Sequence, residues 1–229
     1  MEKINRKALK DISSLEKLHN NWQKWGEELQ EYQAYVKAKK EGKDTTQMKQ
    51  GQTFSWREGI RPDLLQELED QIDEHCSFCD GYPLGTESLE PIEHYYPKAD
   101  FPCLAYTWGN LFYICDKCNS EANKTTFEFT LKPDQVDYQF DTYFYFDAST
   151  GRLEVLENLE IEQPDLYQKA TKFLERYGIN IPKRTKAREL HLINDVQNFL
   201  QNTSNPTDQR ERKHFKYRYV FDFVKKLIE

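Results

Sequence analysis

The sequence predicts an α+β fold in which a metal-organised centre is flanked by helices, and three observations predict it. Two C-x-x-C pairs, Cys76/Cys79 and Cys115/Cys118, occupy the middle of the chain. Apolar residues recur at helical spacing on both sides of them, and a strand-like alternation follows the second pair. At 229 residues, with 14 Tyr, 14 Phe and 31% charged residues, the chain can build a sizeable core and is neither low-complexity nor wholly disordered. No stretch approaches the roughly 18 consecutive apolar residues of a membrane span, and the charged N-terminus lacks the apolar centre of a signal peptide. The expectation is a cytoplasmic protein without a membrane partner.

Residues 1–71 read as a helical region. Ser13 with Glu16 resembles a capping box, and Leu15, Leu18, Trp22, Trp25, Leu29, Tyr32 and Val36 then alternate steps of three and four. This heptad stripe predicts a long N-terminal helix whose apolar seam packs on another helix, of this chain or of a partner. The polar run 39–52, with Gly42 and Gly51, reads as an exposed loop. Pro62 suits a helix start, and Leu64, Leu65, Leu68 and Ile72 form one apolar face leading into the first cysteine pair.

Residues 72–130 form the central module, and residues 131–229 a β-hairpin and C-terminal helical region. Alternation over residues 140–146, a turn at Ser149 to Gly151, then Leu153 and Val155 predict the hairpin. Pro164 and Gly178 bracket a helix carrying Leu166, Ala170, Phe173 and Tyr177. Leu190 to Leu200 predict a second helix, Phe215 to Leu227 a third, and Asn202 to Asp208 a connector.

Each C-x-x-C wraps one tight turn around a metal, and the two turns, with 35 residues between them, complete a four-thiolate site. Zinc is the expected ion, and four protein ligands leave no position for substrate, so its role is structural; the alternative is four unrelated buried thiols. Cys103 reads as a small core residue and His75 as a surface residue.

Charge is unevenly spread: the net −7 divides into +3 for residues 1–50, −3 for 51–71, −6 for 72–126, −6 for 127–182 and +5 for 183–229. Residues 183–188 (KRTKAR) and 210–218 (RERKHFKYR) supply most of the C-terminal cations; they read either as phosphate contacts or as solvated helix faces.

Within the module stand Ile92-Glu93-His94-Tyr95-Tyr96-Pro97-Lys98, then Trp108-Gly109-Asn110-Leu111, then Cys118-Asn119 and Lys124. Their order resembles the HNH, or ββα-metal, nucleases over about residues 72 to 130. The resemblance implies a zinc-bound ββα-metal core in which Glu93, His94 and Asn119 surround a catalytic magnesium or manganese ion. It implies that His94 is the general base in DNA phosphodiester hydrolysis, that Glu93 and Asn119 hold the cation, and that Asn110 ties down the loop and orients the base. Lys98 and Lys124 read as contacts to flanking phosphates or as solvated lysines. Glu93 stands where many family members carry aspartate, and Lys124 is displaced from the usual nearby lysine. A hairpin with Gly151, followed by helices containing Gly178-Ile-Asn and Arg188, is similar to the HNH proteins of Septu-type and retron-associated anti-phage systems. That likeness implies a nuclease effector working beside an ATPase. The competing reading is a non-catalytic zinc module that binds protein or nucleic acid, and an HNH-derived enzyme acting on RNA is chemically open as well.

Overall fold

The structure, a computed structural model, describes residues 1–8, 26–28, 30–48, 61–84, 92–98, 100–105, 107–202 and 212–228. The fold is α+β, with two small two-stranded sheets set among helices. Among the described residues, no helix is long and apolar enough to cross a membrane. The chain divides into two compact units, neither continuous in sequence: one comprises residues 1–6, 69–91 and 113–229, the other residues 7–68 and 92–112.

In the smaller unit residues 30–40 are helical, and α1 follows at Arg61–Glu69. Leu64 and Leu68, one helical turn apart, are buried, as the sequence pattern requires of an apolar face. Of the N-terminal stripe, Leu15, Leu18, Trp22, Trp25 and Leu29 lie outside the described residues, as do Ser13 and Glu16; Tyr32 is 44% exposed and Val36 half-buried. Strand β1, Ile92–His94, pairs with β2, Leu111–Tyr113, and all six residues are buried.

The larger unit holds both cysteine pairs and the C-terminal helices. Helix α2, Asp116–Ala122, begins directly after Cys115, whose sulfur accepts a bond from the Cys118 amide, and Asp116 in the first turn suits the helix dipole. Strands β3, Phe144–Asp147, and β4, Arg152–Val155, form the expected hairpin with Phe144 opposite Val155 and Phe146 opposite Leu153. The strand is shorter than the alternation suggests. Tyr143 and Phe144 are buried in succession, which a strand with one solvated face cannot do, and residues Phe140–Tyr143 instead form a helical turn.

Helix α3, Asn158–Glu162, leads into α4, Pro164–Arg176, which starts on proline and buries Ala170, Phe173 and Leu174. It ends in a Schellman turn: the Ile179 amide bonds the Leu174 carbonyl at 2.9 Å and the Gly178 amide bonds Glu175 at 3.0 Å. Gly178 takes φ +56°, and an added Cβ there would lie 2.6 Å from Glu121 Cγ. The next helix begins at Pro182, well before the apolar pattern at Leu190. Helix α5, Pro182–His191, passes through one π-helical segment, Leu192–Val196, into α6, Gln197–Asn202. The apolar pattern misses this first half because the buried positions facing the core are arginines, Arg184 and Arg188. Helix α7, Arg218–Ile228, buries Tyr219, Val220 and Phe221.

One interlocked set of polar residues fixes the hairpin to these helices. The Asn180 amide brackets Leu153, accepting from its N–H at 3.0 Å and donating to its carbonyl at 2.7 Å. Arg188, fully buried, donates to Gly151 O at 2.6 Å, Ile179 O at 2.9 Å and Asn180 Oδ1 at 3.0 Å. Gly151 has φ +64°, and a Cβ there would meet Thr185 O at 2.4 Å, so only glycine lets the turn sit this close to α5.

Candidate metal centre

The four cysteines of the two pairs converge. Their sulfurs all lie within 4.8 Å of one another, with Cys76 to Cys118 at 3.7 Å and Cys79 to Cys115 at 3.8 Å. A disulfide would bring two sulfurs to about 2.05 Å. A tetrahedron of thiolates about 2.3 Å from zinc has edges of about 3.8 Å, and the 3.7 and 3.8 Å separations match it. The cluster can therefore hold a metal ion such as zinc, and its donor set fits one.

Local structure prepares these sulfurs as acceptors. The Cys115 amide donates to Cys76 Sγ at 3.3 Å and the Cys118 amide to Cys115 Sγ at 3.4 Å. After the first pair, Asp80 adopts φ 61°, which turns the chain back so that the Cys76 amide bonds the Gly81 carbonyl at 2.9 Å. Burial pushes the Cys76 and Cys118 thiols well above their usual range, while hydrogen bonds from neighbouring thiols draw Cys79 and Cys115 down. A divalent cation at the centre would supply the charge that lets all four ionise together. Two further residues brace the first knuckle. Phe78, between its cysteines, stacks on Tyr177 at 4.0 Å and meets the edge of Phe173 at 5.8 Å. Asp80, fully buried, accepts from the Arg218 backbone N–H at 2.7 Å and from its guanidinium at 2.5 Å.

His75 corrects the surface reading. It is completely buried, its Nδ1 lies 2.6 Å from Asp73 O and its Nε2 2.9 Å from Phe215 O, and it stacks on Tyr82. Cys103 also departs from expectation, being exposed rather than in the core.

In the other unit, Glu93 and His94 are 9% and 7% exposed on β1. His94 Nε2 lies 2.9 Å from the Ala105 carbonyl. A carbonyl only accepts, so Nε2 carries the proton and Nδ1 of the neutral ring does not. Burial, reinforced by the charge of Lys98, pulls the imidazole down to about 4, so it is neutral at physiological pH. Asn110, 2% exposed, bridges two loop segments: its Oδ1 accepts from Tyr96 N at 2.7 Å, and its Nδ2 donates to Tyr96 O at 3.1 Å and Leu104 O at 3.0 Å. Both segments adjoin His94 and its Ala105 partner.

Glu93, His94, Lys98 and Asn110 thus share one unit, whereas Asn119 and Lys124 belong to the unit with the cysteines. Asn119 is half-buried on α2, and its Oδ1 accepts a 3.3 Å bond from Asn123. Lys124 is exposed and ion-paired with Glu121 at 2.9 Å, and Lys117 shares the same carboxylate. No protein-family model matches the chain, and no curated protein matches it.

The site residue that sequence reading missed is Arg184, 8% exposed, whose Nη2 lies 3.2 Å from Cys118 Sγ and 3.3 Å from Cys115 Sγ. Its only sequence signal was a cation in a basic run, the same signal that solvated neighbours give.

Proposed function

We propose that the chain is a metal-dependent endonuclease of the HNH type that hydrolyses DNA, with the four-cysteine centre holding a structural zinc. The observation that carries the reading is the geometry at His94: the imidazole sits on a strand with Nε2 committed to the Ala105 carbonyl, which makes Nδ1 the nitrogen that would accept a proton. The order of a short strand, a loop pinned by Asn110, a second strand and then a helix that starts after Cys115 and carries Cys118 and Asn119 is in keeping with it.

In this reading His94 Nδ1 takes a proton from water as the water oxygen bonds to phosphorus and the bond from phosphorus to the 3′ oxygen breaks. Glu93 and Asn119 each offer a hard oxygen atom of the kind that suits magnesium or manganese, and such an ion would stabilise the charge appearing on the leaving oxygen. Asn110 acts through the loop, keeping the Ala105 carbonyl where it fixes the imidazole tautomer. Lys98 would contact a flanking phosphate; Lys124 would do so only on leaving Glu121.

The chain is further proposed to work in a complex, as an anti-phage effector beside an ATPase. Residues 72–126 carry a net −6, a charge that repels phosphates. A second reading, a non-catalytic zinc module, draws on the low exposure of Glu93 and His94, which structural residues share. Supercoiled plasmid incubated with magnesium and the purified chain, alone and with co-purified partners, separates the two readings. Nicking or linearisation abolished by His94→Ala, with zinc content and melting temperature kept, is expected. Equal cleavage by wild type and His94→Ala would remove the catalytic assignment.

A further inference from the structure

Arg184 sits in the first turn of α5, far in sequence from either cysteine pair, yet one guanidinium nitrogen reaches two of the four sulfurs. Nη2 lies 3.3 Å from Cys115 Sγ and 3.2 Å from Cys118 Sγ. The opposite nitrogen, Nη1, donates to the carbonyls of Tyr177 at 2.6 Å and Gly178 at 3.1 Å, the C-terminal end of α4. The side chain is 8% exposed, so nearly all of this is out of water.

A buried guanidinium is costly unless opposite charge meets it. The groups facing Arg184 here are two carbonyls and two sulfurs, so the sulfurs must supply the charge. Four thiolates around one divalent ion leave a net −2 in a buried cluster, and that charge needs a counter-ion as much as the arginine does. Burial disfavours the Arg184 cation, but the charges of Cys79, Cys118, Cys115 and Cys76 outweigh it and hold the group above its ordinary range. The fork geometry suits this arrangement: one edge meets sulfur while the other meets carbonyl oxygens, which lysine's single point charge does not reproduce.

Resting on the reading of the four cysteines as a metal centre, we infer that Arg184 is the outer-sphere counter-cation of that centre, setting how tightly the metal is held and coupling metal retention to the α4–α5 junction. The C-terminal helices then form one wall of the metal site. The Arg184 bonds lower the electron density on Cys115 and Cys118 and neutralise half of the cluster's excess charge. Removing them leaves two more electron-rich thiolates and an uncompensated dianion.

The test uses the full chain loaded with zinc, and separately with cobalt(II), in wild type, Arg184→Met, Arg184→Lys and Arg188→Met forms. Arg188 is the internal control, since it is buried on the same helix and bonds the hairpin but no sulfur. Zinc affinity by chelator competition should weaken roughly 10- to 100-fold in Arg184→Met, the range for outer-shell partners, and less in Arg184→Lys. The sulfur-to-cobalt charge-transfer band should move to longer wavelength in both Arg184 variants, because unbonded thiolates donate more readily. Arg188→Met should melt at lower temperature yet keep the wild-type cobalt spectrum and zinc affinity. An unshifted band with unchanged zinc affinity in Arg184→Lys and Arg184→Met would overturn the inference alone. Equal zinc weakening in Arg188→Met would also overturn it, by assigning the effect to general loosening. A wild-type chain that binds neither zinc nor cobalt would overturn the metal centre itself.

Discussion

Replacing Cys115 with serine tests the metal centre most directly, because this one sulfur serves three structural purposes. It is one of the four sulfurs that could hold a metal, it caps α2 through the Cys118 amide at 3.4 Å, and it accepts from Arg184 at 3.3 Å. Loss of the cap alone costs about 1 kcal/mol. Loss of the metal is far larger, since structural zinc contributes on the order of 10 kcal/mol to the folding of small zinc domains. A domain of ordinary stability has roughly 5–15 kcal/mol in total. Metal loss therefore decides the outcome, and Cys115→Ser should be both zinc-free and without a cooperative melt in the cysteine-bearing unit. Zinc per chain by elemental analysis, with thermal unfolding followed by circular dichroism, reads both quantities. Cys103→Ser is the matched control: Cys103 is exposed, so its melt should stay within about 0.5 kcal/mol of wild type. A Cys115→Ser protein that is metal-free and fully folded would refute the reasoning.

Three other outcomes follow from the same contacts. Asn119→Ala should lose plasmid cleavage at ordinary magnesium and recover part of it at raised manganese, because a weakened ligand set binds its ion less tightly; loss that no metal concentration alters would exclude Asn119 as a ligand. Asn180→Ala removes both bonds to Leu153 and one from Arg188, all at 3.0 Å or less, and should destabilise by about 3 kcal/mol in urea unfolding; a cost under about 1 kcal/mol would show the hairpin lock to be unimportant. His191 is 5% exposed with Nε2 unbonded, and burial lowers its pKa against the opposing pull of Asp195 and Asp80, with Lys216 adding to the lowering. Below the unfolded value of about 6.5 the unfolded chain takes up the proton first, so stability should fall as pH drops from 7 towards 5.5. His191→Phe should make that fall shallower, and an identical pH slope in both proteins would show that His191 does not contribute.

The parts legible in the sequence were those with a local rule behind them. The spacing of Cys76, Cys79, Cys115 and Cys118 constrains a metal turn at each pair, and the sulfurs meet within 4.8 Å. Pro164 and Gly178 mark the ends of α4 because proline suits a first turn and glycine the left-handed residue of a Schellman turn. What failed depends on packing between distant segments. His75 is buried because Phe215, 140 residues away, presents a carbonyl to its ring. The first half of α5 was invisible to an apolar pattern because its buried face is made of Arg184 and Arg188, each donating to backbone carbonyls of other elements and Arg184 also to two cysteine sulfurs. Glu93, His94, Asn110 and Asn119 were legible only as an ordered set of residue types, and composition says nothing about which imidazole nitrogen the fold would occupy.

The same packing revises the electrostatic argument about nucleic acid. Counted from the sequence, residues 183–188 and 210–218 supply most of the cations of the C-terminal segment. In the fold several of them are already committed. Arg184 faces sulfur, Arg188 faces carbonyls, Lys186 pairs with Glu189 at 2.8 Å, Arg212 pairs with Glu2 and Asp222, and Arg218 pairs with buried Asp80. Lys183, Lys213 and Lys216 remain exposed among the described cations of these runs, as does Lys186 within its surface pair. Affinity for a polyanion grows with the number of phosphates neutralised, so the cation count overstates the grip of these two segments. The buried arginines face the cysteine cluster and the hairpin instead, so a nuclease of the proposed kind would need a partner to supply contact to DNA.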